Sequence, residues 1–389
     1  MIFSLDVRRA RKGDCFLLHF GSTTKPGLAM IDGGPAKVYA PHLKPRLREI
    51  RKARKLDAQT PLPVELLMIS HADDDHILGI LDLTREILAN PTQAPLIRAS
   101  SFWHNSFDEI IGKDPAELTA SLTAQFGAAS LNVLASIAQG HRLRGDADTL
   151  GYPRNPEFNG KLILAAKKAV PVAEGLTFTV AGPMKPELTA LQKKHDQWLK
   201  ARKENKPTAA LAAYVDESVT NLSSIVVLAK FGGKSMLLTG DARGDKVLKG
   251  LELTGALKKD GVLKVDILKV PHHGSANNLD VDFFQRIQAR HYVFSGDGQH
   301  GNPERETFEM LFKARGGEPF SIHLTYPVDE IDAGRKADWE KKPVKGNWSP
   351  EKHGLAALFA KTKFTKDQKI EIADKMKPHV INLLDPLGF

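Results

Sequence analysis

Two histidines and three aspartates crowd into one heptapeptide, Ser70-His71-Ala72-Asp73-Asp74-Asp75-His76. Imidazole and carboxylate together suit Zn²⁺, Mn²⁺ or iron, whereas an all-oxygen set suits Mg²⁺. Residues two apart in an extended loop point the same way, so His71, Asp73 and Asp75 can converge on one side, with His76 approaching from the other. Aspartates capping a helix N-terminus would explain one or two of the acids, but not two histidines as well. Two further stretches end apolar runs on titratable groups. Leu237-Leu238-Thr239-Gly240-Asp241 delivers one carboxylate, a pattern that alone is common in turns. Lys269-Val270-Pro271-His272-His273-Gly274-Ser275 delivers two histidines, of which we expect His272 to ligate and His273 to support it or face substrate.

The sum is His71, Asp73, Asp75, His76, Asp241 and His272, more than one tetrahedral zinc needs. The set suits two divalent ions, Zn²⁺ or Mn²⁺, about 3.5–4 Å apart, with Asp241 as the natural bridge. Such a pair would activate a metal-bound hydroxide against a phosphorus or carbonyl centre, with Asp75 or His273 shuttling the proton.

The elements that must hold these residues alternate. Apolar runs at 2–7, 15–20, 28–31, 66–70, 224–231, 235–239, 265–270 and 291–295 read as strands. Runs with helical spacing at 43–56 and 77–88 fall between them, which predicts α/β layering. Each titratable cluster follows a strand, where ligand sites of α/β proteins sit. Residues 91–215 differ. They carry helix-like text such as 116–139 and the charged run 185–206, with a hairpin-like element near 176–180, and predict a mostly helical insertion. The chain thus divides into 1–90 and 216–315 as two halves of one core, the insertion at 91–215, and a basic extension at 316–389.

Composition narrows the classes. The 389 residues carry 55 Lys+Arg against 46 Asp+Glu, a net +9, with 42% hydrophobic and 26% charged residues. That balance is globular and excludes collagen-like, coiled-coil and wholly disordered chains. The single cysteine, Cys15, excludes an internal disulfide and thiolate-rich zinc sites, and fits a reducing compartment. No run approaches the roughly 18–20 apolar residues of a membrane span. Charges interrupt the first twenty residues where a signal peptide has its apolar core, so we expect a cytoplasmic protein without membrane contact.

The motif set resembles the metallo-β-lactamase fold, in its ComEC-type branch related to DNA-uptake proteins. The run His71-x-Asp73-x-Asp75-His76 is similar to the family's metal signature, with Asp73 where the common form has histidine. Asp32-Gly33-Gly34, Asn221-Leu222-Ser223-Ser224, Gly240-Asp241, the His272-His273-Gly274-Ser275 run and Gly13-Asp14-Cys15 complete the match over about half the chain. The resemblance implies a four-layer αββα sandwich with metals at one edge. It assigns His71 and Asp73 to one ion, Asp75, His76 and His272 to the other, and Asp241 between them. It places Asp32 behind a ligand histidine, and Asn221 and Ser275 beside the site. The family's third histidine has no obvious counterpart, and Asn221 stands nearest its position. Asn302, before Pro303, stands where a histidine is usual, with His300 as its substitute.

For substrate, the basic run 42–55 follows the Asp32-Gly33-Gly34 loop and would attract phosphate near the site. The expected function is therefore a metal-dependent hydrolase, most readily a phosphodiesterase or nuclease acting on DNA, RNA or a nucleotide. A lactonase, thioesterase or β-lactam hydrolase is the alternative. So is a component of a multi-protein system, such as a defence system, that binds a protein partner through its insertion. Aromatic residues are only 7%, which leaves little for base stacking.

Overall fold

The computed structural model describes residues 1–106, 109–110, 112, 128–189, 193, 223–341 and 346–389. The chain opens with β1 (Ile2–Val7), β2 (Phe16–Gly21) and β3 (Pro26–Ile31), then α1 (Lys44–Ala53), β4 (Leu62–Val64) and β5 (Leu66–Met68). Next come α2 (Asp74–Ala89), β6 (Ile97–Ala99), β7 (Phe102–Trp103), α3 (Ala128–Thr149), β8 (Val170–Ala173) and β9 (Leu176–Gly182). The rest runs β10 (Val226–Phe231), β11 (Lys234–Leu238), α4 (Gly244–Thr254), β12 (Leu263–Lys269), α5 (Val281–Arg286), β13 (Ile287–Phe294) and α6 (Arg305–Arg315). It closes with β14 (Phe320–Leu324), α7 (Val328–Trp339), α8 (Pro350–His353), α9 (Leu355–Lys361), β15 (Gln368–Ile372) and β16 (His379–Asn382).

Two large sheets result. One has the order β16-β1-β2-β3-β5-β7, the other β15-β14-β13-β12-β11-β10-β9-β8, and β4 pairs with β6 apart from both. Side-chain alternation gives each strand two uses. Phe16 and Leu18 of β2 join Val227 and Met236 in an apolar cluster drawn from both sheets. Leu17, between them, packs instead with Leu47 of α1 and Ile77 and Ile80 of α2. On the other sheet, Leu228 and Leu237 pack with Val247 of α4, and Phe294 packs with Phe308 of α6. The fold is a mixed α/β arrangement whose sheets share a core and whose outward faces are covered by helices.

The strands expected from the sequence are present within a few residues. The region 91–215 is less separate than its helical text suggests. β7 extends the first sheet, and β8 and β9 form a hairpin that extends the second. The C-terminal stretch also supplies β14, β15 and β16 to both sheets. Short strands of two to four residues, such as β7 and β8, carry too little periodicity to read from sequence. Of the expected helix 116–139, residues 128–139 lie in α3 and the rest lie outside the described residues, as does most of 185–206. Among the described residues no helix is long and apolar enough to cross a membrane.

Parallel pairing sets up the functional edge. β3, β5 and β7 run parallel, as do β11, β12 and β13. Each trio therefore ends its strands at a common sheet edge. The edges meet where Ile225 N–H donates to the Ser70 carbonyl at 2.8 Å, and where Gly240, at φ +51°, leaves no room for a side chain against Ser70. The helix carrying half the site is seated by close backbone approach. A Cβ on Gly79 of α2 would lie 1.9 Å from the Gly33 carbonyl oxygen. Gly79→Ala should therefore destabilise the protein by about 1–3 kcal/mol through overpacking. Urea unfolding of the purified variant checks this, and an unchanged midpoint would refute the seating.

Candidate metal centre

Asp32 follows β3, Ser70 and His71 follow β5, Asp241 follows β11 and the two histidines follow β12. The first turn of α2 brings Asp75 and His76. Asp73 stands at the N-cap of α2 with extended backbone, yet its side chain makes no capping bond. Its Oδ2 lies instead 3.5 Å from His71 Nε2. The loops that carry the site are strained at three of its positions. Asp32 (φ +58°), His272 (φ +47°) and His273 (φ +53°) adopt left-handed backbone that non-glycine residues avoid. Each such residue costs about 1–3 kcal/mol, and strain of this kind collects at functional sites.

Asp241 is the hub. Its Oδ1 lies 3.3 Å from His76 Nε2. Its Oδ2 lies 3.3 Å from His273 Nε2, 3.7 Å from His272 Nε2 and 3.9 Å from His71 Nε2. Asp75 closes the open side, with Oδ1 3.9 Å from His76 Nε2 and Oδ2 3.8 Å from His273 Nε2. Asp75, His76, Asp241 and His273 each offer a ligand atom within 4.8 Å of the others. The Nε2 atoms of His71, His76 and His273 are buried, yet none makes a hydrogen bond of regular geometry. An orphaned buried nitrogen costs about 1–3 kcal/mol, and three aimed at one carboxylate fit divalent metal binding.

Behind the cluster, carboxylates fix the rings. Asp32 Oδ2 lies 2.8 Å from His76 Nδ1, and Asp32 also accepts from Ser70 N–H and Oγ–H, both at 2.7 Å. Asp14 Oδ1 lies 3.3 Å from His273 Nδ1 and accepts from the Ser295 hydroxyl. Each arrangement engages Nδ1 and leaves Nε2 toward Asp241, the tautomer a metal needs. Lys269 neutralises this carboxylate density. Fully buried, its Nζ lies 2.6 Å from Asp14 Oδ2 and 3.5 Å from Asp241 Oδ1, and donates to the Gly240 carbonyl at 2.8 Å.

Burial opposes every charge here, and the neighbours override it. His273, His76, His272 and Lys269 hold Asp241 well below the usual carboxylate range. Lys269 and His273 do the same for Asp14. Asp241 and Asp32 push His76 well above an ordinary imidazole, and Asp241 with Asp14 pushes His273 up to about 9. For His272 burial prevails, and its pKa falls.

The sequence-derived residues divide accordingly. His71, Asp73, Asp75, His76, Asp241 and both histidines of the pair come together. His273, which we expected in a supporting role, is the buried member facing Asp241 at 3.3 Å. His272 lies toward the rim, its side chain 28% exposed and its Nδ1 against Asn278. Ser275 is buried beneath the pair, its N–H on the His272 carbonyl at 2.9 Å. Asn302 donates to the same carbonyl at 3.5 Å, and exposed His300 sits 3.3 Å from Lys12 Nζ. Asn221 lies outside the described residues. Sequence reading passed over Lys269 and Ser295, and it met Asp14 only as part of a family opening. It also missed His104, a buried histidine following β7 on the first sheet's edge and stacked on Phe102. Lys269 closes β12 after Ile267 and Leu268, and a charge directly after an apolar pair was the available signal.

No family model matches the chain. Microtubule-associated protein 1A of Homo sapiens is 40% identical over 75 residues, 18% of this chain and 3% of that protein. Futsch of Drosophila melanogaster is 41% identical over 58 residues, 15% of this chain and 1% of that protein. ComE operon protein 3 of Bacillus subtilis strain 168 is 31% identical over 101 residues, 25% of this chain and 12% of that protein. The chain thus spans only a small part of the length of these relatives. Among solved structures, a candidate metal-dependent hydrolase from Parabacteroides distasonis aligns over 83% of this chain and 98% of its own, at 11% identity and TM-score 0.33. Zn²⁺-bound PqqB from Methylobacterium extorquens aligns over 94% and 87%, at 11% identity and TM-score 0.30.

Two expectations follow from the electrostatics. Lys269→Met leaves Asp14 and Asp241 without their buried cation and should cost about 3–5 kcal/mol in denaturant unfolding. A cost below 1 kcal/mol would mean that the ammonium is not their counter-charge. Second, the folded pKa of His273 is raised, so in chelator-stripped protein its contribution to stability is complete below about pH 6.5. It is lost as pH rises through about 9. Unfolding midpoints of stripped protein should fall over this window, and metal uptake below pH 9 should release protons, read by calorimetry in buffers of different ionisation enthalpy.

Proposed function

We propose that the chain is a metal-dependent hydrolase of the metallo-β-lactamase type, with a four-layer αββα core of the ComEC-type branch, cleaving phosphodiesters. One observation carries the hydrolase reading. Three buried imidazole nitrogens without regular hydrogen bonds face one shared carboxylate, Asp241. In this reading Asp75, His76, His273 and Asp241 hold one divalent ion, Zn²⁺ or Mn²⁺. His71, Asp73, His272 and Asp241 would hold a second, so His273 takes the place first given to His272. Bound there, such ions lower the pKa of water and offset charge that develops on a phosphoryl or acyl oxygen. The chain's own groups do the rest. Asp32 and Asp14 hold the rings of His76 and His273, and Asp75, 19% exposed, offers a carboxylate on the open side as proton acceptor.

The substrate reading rests on charge around the site. The basic helix is a weaker support than its sequence promised. Arg46 is buried on Asp6, Lys44 pairs with Glu86, and Arg51 donates to the carbonyls of Asp57, Ala58 and Thr60. Three of the seven cations of the run 42–55 are thus engaged within the fold, while Arg48, Lys52 and Lys55 are exposed. Lys12, one residue before the Gly13 that abuts the Asp75 backbone, is a cation that borders the site, and His300, in the loop that reaches Asn302, lies 3.3 Å from its Nζ. The Lys12 charge favours an anionic substrate.

The test is a substrate panel with protein reloaded with Mn²⁺ or Zn²⁺. It comprises bis-p-nitrophenyl phosphate, single-stranded and duplex DNA, RNA, a lactone and a β-lactam. Phosphodiester cleavage should depend on metal and fall about 100-fold or more in Asp241→Asn. Cleavage of the lactone or β-lactam alone would replace the substrate class. A biological activity untouched by Asp241→Asn would replace catalysis with a partner-binding role.

A further inference from the structure

Three histidines outside the candidate centre meet between the sheets. His323 of β14 stands opposite Glu371 of β15 and Val293 of β13, which puts His291, two residues before Val293, on the same face. His379 of β16 stands opposite Val7 in the other sheet. Val7, Val293 and Ile381 belong to the apolar cluster shared by the sheets, so this face turns inward. His323 Nε2 lies 3.0 Å from His291 Nδ1, and His323 Nδ1 lies 2.9 Å from His379 Nε2. Glu371 Oε2 lies 3.8 Å from the same Nδ1. The His323 side chain is 3% exposed and that of Glu371 is 48% exposed. Each His323 nitrogen has an imidazole partner, so the group is satisfied as it stands, and two imidazoles and a carboxylate are nonetheless gathered beside an apolar interior.

We propose that His323, His379 and Glu371 form a separate binding site for a divalent transition metal of the zinc class, clasping β16 of one sheet to β14 and β15 of the other. Two imidazoles and a carboxylate are the ligand set of zinc sites that keep one position open. Tetrahedral bonds of about 2.0–2.1 Å place ligand nitrogens roughly 3.3 Å apart, a small opening from 2.9 Å. Glu371 is half in solvent and must swing inward from 3.8 Å, which also provides the entry path. The outer partner is already present. His323 Nε2–H can donate to His291 Nδ1, which leaves the His323 Nδ1 lone pair toward His379 and Glu371. Burial lowers the pKa of all three histidines, with His379 and His291 adding to it at His323. Glu371 and Asp266 oppose the fall at His291 while Arg290 adds to it, and Glu371 and Asp6 oppose it at His379.

The test compares the full chain with Glu371→Gln and with Glu371→Gln/His379→Asn, each stripped, loaded with Co²⁺ and desalted. We expect the parent to retain one more equivalent of metal than the double variant, whatever the candidate centre holds. Glu371→Gln alone should weaken Co²⁺ binding at least about tenfold and reduce the visible cobalt absorption, with hydrolysis unchanged. Equal metal content and superimposable Co²⁺ titrations would overturn the proposal, and would leave a metal-free chain of imidazole hydrogen bonds. If the double variant fails to fold by circular dichroism, Glu371→Gln decides alone, since its side chain is half exposed.

Discussion

Three carboxylates buried at one edge, Asp14, Asp32 and Asp241, are what the rest of the structure must accommodate. Each is at most 2% exposed. An uncompensated buried carboxylate would protonate or unfold the region. The compensation is local and comes from every direction: Lys269 from β12, His76 from α2, and His273 from the strained loop after β12. The charges are arranged so that the imidazole nitrogens left over point at Asp241. The same balance that holds Asp14 and Asp241 as carboxylates builds a pocket of ligand atoms.

That balance ties the site to the docking of the sheets. Asp32, His71 and His76 come with the first sheet, and Asp241, Lys269 and His273 with the second. Asp14, in the turn between β1 and β2, reaches across to Lys269, His273 and Ser295. The apolar cluster shared by the sheets supplies the free energy of this docking, while the polar edge sets its register. Gly240, which has no side chain, lets the second sheet come close against Ser70 of the first. Left-handed backbone at Asp32, His272 and His273 is tolerated because the surrounding contacts over-determine it.

Charge elsewhere in the molecule is also spent internally. The buried Arg46 joins Asp6, Glu49 and the Phe389 carbonyl, so a residue from the basic run serves to tie the C-terminal end to α1. Net charge is thus a poor guide to which cations face a ligand. At the inward corner where His291, His323 and His379 meet, polar groups again take the place of apolar ones between the sheets. There the side chains satisfy one another in pairs rather than facing an empty centre.

Much was legible in the sequence because it is local. The spacing of His71, Asp73, Asp75 and His76 survives any tertiary arrangement, since all sit in one loop and one helical turn. The strands before Asp32, Ser70, Asp241 and His272 announced themselves by apolar runs ended by polar residues. Other features depended on distance in the chain. Asp14 meets Ser295 across 281 residues, which no spacing rule encodes. Choosing His273 over His272 as the inward ring required the left-handed backbone at both positions, and side-chain type does not report the sign of φ. Within 91–215 the hairpin strand β9 was legible near 176–180, whereas β7 and β8 were too short to show a period, and only pairing with β5 and β9 makes them strands. By itself, the sequence determined which chemical groups are present and which of them share a loop. The tertiary structure decided which face one another and with what charge, because burial and long-range pairing exist only once the sheets have docked.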